Sequence, residues 1–120
     1  MSVLAWIGVA ALGSIGALAR FLLDGLISRR SPGFPLGTLM VNVSGALMLG
    51  LLSGAALTGN ALVLTGTATI GSYTTFSTWM LETQRLAEDD RLTGALLNVL
   101  LSIVLGIGAA ALGRAVAGAL

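Results

Sequence analysis

The residues able to do chemistry in this chain are hydroxyls set where hydrocarbon is expected. Thr67 to Leu81 (TATIGSYTTFSTWML) holds five threonines, two serines, three aromatics and no charge, inside a run apolar enough to cross a bilayer. Hydroxyls in hydrocarbon must find partners among themselves, the backbone, water or a solute, so an uncharged, hydroxyl-rich centre points to a polar conduit. Thr38 and Asn42, in the run GTLMVNVSG from Gly37 to Gly45, lie four apart and share a helix face, and Asn98 with Ser102 repeats the spacing. An intramembrane asparagine alone reads equally as a helix-to-helix hydrogen bond contributing about 0.6 to 2 kcal/mol. Two such faces beside the hydroxyl run supply O–H and N–H donors with no fixed cation, which replaces an anion's hydration shell without trapping the anion.

Phe76 and Trp79, three apart, also share a face. They serve as core or lipid anchors, or turn electropositive ring edges toward an anion. Gly71 and Ser72 precede Tyr73, Thr74 and Thr75, a place where a helix can break and open backbone groups to a cavity. The chain has no histidine, cysteine or lysine. That removes disulfides, thiol chemistry, most transition-metal sites and the commonest general base, and leaves any Ser or Thr nucleophile without a partner. An enzyme is the least fitting class.

The elements that must position these groups are apolar helices. Of 120 residues 56% are hydrophobic, and no charged side chain occurs from Ser31 to Leu81, a stretch long enough for two crossings of about 20 residues. The expected fold is an all-α membrane protein: one domain, residues 1–120, of four transmembrane helices at Val3 to Leu23, Leu36 to Leu57, Ala61 to Leu81 and Gly94 to about Leu112, the third broken near its middle. The first connection, Asp24 to Pro35, joins charges to prolines; the second is a tight turn at Thr58, Gly59 and Asn60. The third, Glu82 to Leu92, crowds six charges into a solvated loop or helix extension. Met1 and Ser2 carry no positive side chain before the apolar run, so the first segment is expected to remain as a helix and not a cleaved signal. Small residues, Gly13 with Gly16 and Ala17, Gly50 with Gly54, and Gly106 with Ala110, mark close helix packing.

Four crossings put both termini and the Gly59 turn on one side. Arg29, Arg30, Arg85 and Arg91, with Arg20 snorkelling from the first helix, then oppose Arg114 and the amino terminus. The positive-inside rule would turn the termini outward.

Three blocks carry a family resemblance: GSIGALARF from Gly13 to Phe21, GTLMVNVSG, and TTFSTW preceded by Gly71. In order and combination they resemble the CrcB/Fluc fluoride channels, with length and layout agreeing over essentially the whole chain. The resemblance implies a multi-pass protein of the cell membrane, an antiparallel dimer with two fluoride pathways, a structural sodium ion on the central axis, and passive export of fluoride. The partners it implies are fluoride, lipid, and a second copy of the chain or a paralogous subunit; nucleic acid is not among them. Carried over, Asn42 is the pore asparagine and Thr38 its neighbour on the polar track. Phe76, Ser77, Trp79, Asn98 and Ser102 complete the pathway, Arg20 stands in the vestibule, and backbone carbonyls of Gly71 and Thr74 hold the sodium. The chain departs from the family pattern in Trp79 for the second phenylalanine, Asn98 for a common tyrosine, Ser72 for a glycine, and Leu12 and Phe21 in the first block.

The competing class is a small multidrug transporter of similar length and pairing. Such proteins resemble one another in a mid-membrane carboxylate on the first helix, whereas Asp24 and Glu82 here stand at helix ends. A third class is an assembly protein of four packed helices without transport, which the absence of any solute flux would reveal.

Overall fold

A computed structural model of the protein describes residues 1–120. It is all-helical: α1 (Val3–Ser28), α2 (Leu36–Gly54), α3 (Gly59–Leu62), a π-helical stretch (Val63–Ile70), α4 (Gly71–Tyr73), α5 (Ser77–Glu88) and α6 (Leu92–Ala119). Three of these, α1, α2 and α6, are long and apolar enough to cross a membrane.

Local chemistry explains the boundaries. Ser2 Oγ accepts from the Ala5 N–H at 3.1 Å and caps α1. At the other end the Ser28 hydroxyl donates to Asp24 Oδ1 at 2.8 Å, so α1 runs past the expected Leu23 and Asp24 belongs to the helix, not to the connection. Pro32 and Pro35 then enforce the non-helical link before α2. After Gly54 the chain reverses through left-handed backbone at Ala56 (φ 56°) and Gly59 (φ 60°), the latter a conformation that glycine takes without a Cβ clash. The acidic segment is partly helical, since α5 continues to Glu88 before Asp90 (φ 56°) turns the chain into α6.

Between Gly59 and Glu88 the helix is interrupted. Thr74 is extended (ψ 162°), and the regular winding resumes at Ser77. The expected break is therefore present, a few residues beyond Gly71 and Ser72.

Glycines set the packing directions. A Cβ on Gly16 would strike the Thr69 carbonyl, and Gly8 and Gly13 face Leu64 and Ser72, so α1 and the π-helical segment run parallel. A Cβ on Gly50 would strike the Ala110 carbonyl and one on Gly54 the Arg114 carbonyl, so α2 and α6 also run parallel, backbone against backbone. Gly106 has nothing within 4 Å of its Cβ position. The expected small face of the last helix therefore meets α2 through Ala110 and Gly113.

Only 16 of the 120 residues are buried, while Trp6, Phe21, Leu100, Val104 and Ile107 stand more than half exposed. Apolar side chains on this scale require lipid or a partner around them.

Candidate functional site

The site is built on the interruption before α5. A continuous helix would give the Thr75 N–H to the Gly71 carbonyl; here it donates to Asn42 Oδ1 at 2.8 Å. Asn42 Nδ2 in turn donates to the Thr75 carbonyl, also at 2.8 Å. The amide of α2 thus pairs with both main-chain groups of one residue of the broken segment, as a strand would, and satisfies the N–H and the C=O of Thr75. Thr75 Oγ1 then accepts from the Thr78 N–H at 3.2 Å and caps the restarting helix. Nearby, the Tyr73 hydroxyl meets Ser44 Oγ at 2.8 Å, a second polar link from α2 to the break.

A groove of about 600 Å³ opens on this region, lined among others by Asn42, Gly71, Thr74, Thr75, Phe76 and Trp79. Phe76 is 70% exposed and meets Trp79 edge to face, with ring centroids 5.7 Å apart and an interplanar angle of 80°. Ser77 is exposed at the first position of α5, its Oγ 3.5 Å from Thr75 Oγ1. The structure therefore brings together Asn42, Gly71, Thr74, Phe76, Ser77 and Trp79.

The other anticipated residues, Thr38, Asn98, Ser102 and Arg20, do not line this groove. Thr38 and Asn98 are buried within the α2–α6 half of the molecule, and Thr38 Oγ1, Asn98 Oδ1 and Ser102 Oγ all lack a hydrogen-bond partner, as does Arg20 Nε on α1. Orphaned polar atoms in a protein interior are uncommon and mark places where water or a solute belongs. Trp79 links the groove to Asn98, because its indole N–H donates to the Asn98 carbonyl at 3.2 Å.

Residues 7–114 match the family model described as CrcB-like protein, Camphor Resistance (CrcB). The chain belongs to the CrcB family. The fluoride-specific ion channel FluC 2 of Mycolicibacterium paratuberculosis is 55% identical across 97% of this chain and 96% of its own length. FluC 2 of Mycobacterium bovis is 52% identical, covering 98% and 94%, and FluC 1 of Leifsonia xyli subsp. xyli is 44% identical, covering 94% and 86%. This CrcB-family chain is a multi-pass membrane protein, as its apolar helices require.

Sequence reasoning overlooked Glu82 among the polar groups of this CrcB-family chain. The Thr38 hydroxyl lies beside its carboxyl, Asp24 and Arg85 are the charges around it, and its Oε1 is buried without a partner. A signal was available: Glu82 is three residues from Trp79 and so shares its helix face, instead of pointing away with the exposed Glu88 and Asp89.

Proposed function

We propose that this chain is a fluoride-selective channel that exports fluoride passively from the cytoplasm. The observation that carries the reading is an uncharged helix break held open by Asn42, with exposed Phe76 beside it, in a chain whose relatives are named fluoride-specific ion channels. Fluoride is small and strongly hydrated, so a path must return short hydrogen bonds along its length. Hydroxyls at Thr38, Ser77 and Ser102 and the remaining amide hydrogens of Asn42 and Asn98 are donors of that kind. Aromatic edges at Phe76 and Trp79 add positive potential without a cation that would trap the ion. Arg20 concentrates anions at the entrance.

The fourth crossing of the membrane is the interrupted segment from Gly59 into α5. The exposed groove and the 70% exposed Phe76 are then covered by a second subunit inserted the opposite way, giving a dimer with two pores. A sodium ion suits its axis. Diverting the Thr75 N–H to Asn42 frees the Gly71 carbonyl from its helical donor, and Gly71 and Thr74 line the same groove. Carbonyl oxygens from two subunits fit a hard cation, whose role is to hold the subunits together. Relatives bear the names FluC 1 and FluC 2, so the mate is a second copy of this chain or a paralogue.

The transporter alternative needs a carboxylate that loads protons in the middle of α1. Asp24 lies one turn from the C-terminal end of α1 and accepts from the Ser28 hydroxyl. Efflux of fluoride from loaded liposomes, with chloride as control and no pH gradient, tests the reading. Retention of fluoride equal to that of protein-free liposomes, or release that requires a pH gradient, overturns it.

A further inference from the structure

Trp79, Asn98 and Thr83 close a ring of hydrogen bonds between α5 and α6. The Trp79 indole N–H donates to the Asn98 carbonyl at 3.2 Å, Asn98 Nδ2 donates to Thr83 Oγ1 at 2.8 Å, and the Thr83 hydroxyl donates to the Trp79 carbonyl at 2.8 Å. Every bond has a consistent direction: the single Thr83 hydrogen goes to the carbonyl, and the hydroxyl oxygen is left to accept from Asn98. Asn98 is completely buried, so the α6 end of the ring is fixed by packing. At the α5 end, the Thr83 bond spans four residues and ties the hydroxyl to its own helix.

We propose that Thr83 and Asn98 are positioning residues that lock the Trp79 ring and, through it, the orientation of Phe76 on the ion path. A phenyl ring has no donor and flips about its axis, whereas an indole anchored through its N–H keeps one face and one edge. Phe76 is 70% exposed, and Trp79 is its edge-to-face partner. The protein therefore holds that exposed ring chiefly by the neighbour that the buried ring of bonds immobilises. Because the indole N–H is engaged by Asn98, Trp79 serves the path as a wall that sets ring geometry, and its N–H is not a donor to the ion.

The flux consequence rests on the fluoride reading; the latch itself does not. In a Trp6→Phe background, which leaves Trp79 as the sole indole, its Nε1–H resonance is followed in detergent-solubilised protein alongside fluoride efflux from liposomes. Thr83→Val keeps the shape, removes the hydroxyl, and is expected to move the indole resonance and slow efflux by roughly threefold to tenfold. Thr83→Ser is expected to restore both. Trp79→Phe is expected to slow efflux as well, and adding Thr83→Val to it should change nothing further, since the two act on one element. An indole resonance unmoved by Thr83→Val, a Ser variant that fails to restore it, or efflux losses that add in the double variant would each overturn the proposal. If Thr83→Val does not assemble, Thr83→Ser and Trp79→Phe decide: wild-type efflux in Trp79→Phe defeats it. A wild-type protein without fluoride efflux defeats the fluoride reading instead, and the indole resonance still decides the latch.

Discussion

The side-chain amide of Asn42 and the main-chain N–H and C=O of Thr75 bond each other twice, at 2.8 Å in both directions, across 33 residues of sequence. An asparagine on one helix thereby supplies what the interrupted helix lacks. Asn42 accordingly has two roles in the proposed channel, holding the break and offering its remaining amide hydrogen to the ion.

Asn42→Asp separates these roles from size. The substitution replaces the Nδ2 donor by an oxygen facing the Thr75 carbonyl, and leaves a charge where none is compensated. A destabilisation of about 1 to 3 kcal/mol is expected, with fluoride efflux nearly abolished. Thermal unfolding in detergent and liposome efflux, measured on the same preparation, check both. Unchanged efflux in a folded variant would take Asn42 out of the pathway.

Phe76→Ile should behave differently. With 70% of the residue exposed in the subunit, little intrachain packing is lost, and unfolding should shift by less than about 1 kcal/mol. Efflux should nonetheless drop, because an aliphatic chain has no electropositive edge. Equal efflux in the two proteins would show that the ring edge does not contact the ion.

Gly50 and Gly106 make a paired test of helix packing. A Cβ at Gly50 meets the Ala110 backbone, which cannot move aside as a side chain would, whereas Gly106 has open space. Gly50→Ala should destabilise by about 1 to 3 kcal/mol and Gly106→Ala by close to nothing within the subunit. Unfolding in detergent ranks them. A harmful Gly106→Ala would place that glycine at the contact with the proposed second subunit.

Membrane insertion is read from single cysteines at Asn60 and Asp89, on the two opposite faces that four crossings imply. Labelling of both from outside whole cells is expected for an antiparallel pair of identical chains. Labelling of one alone requires a paralogous mate, which the arginine excess around Arg29, Arg30, Arg85 and Arg91 would favour.

Much of the architecture was legible in order along the chain. Apolar runs near 20 residues, prolines at 32 and 35 and the Gly59 turn are local signals, and local signals suffice to place helices and breaks. The four-residue spacing of Thr38 and Asn42 likewise follows from helix periodicity alone. Helix ends were less legible, because Ser28 bonding Asp24 and the helical course of Gln84 to Glu88 carry polar residues into helices that hydropathy would end.

Partnership between distant residues was settled only by the tertiary structure. From sequence, Asn42 is a donor for an ion; that Thr75 takes both ends of its amide depends on how α2 crosses the break. Trp79 reads as a variant of phenylalanine until its N–H is found on Asn98, and Thr83 gives no sign until both helices are in place. Composition and periodicity report which groups a helix carries and on which face. Hydrogen-bond pairing depends on sub-ångström differences in the distances between elements, set at the break by the close approach of Gly45 on α2 to Thr74, and no single segment contains that information.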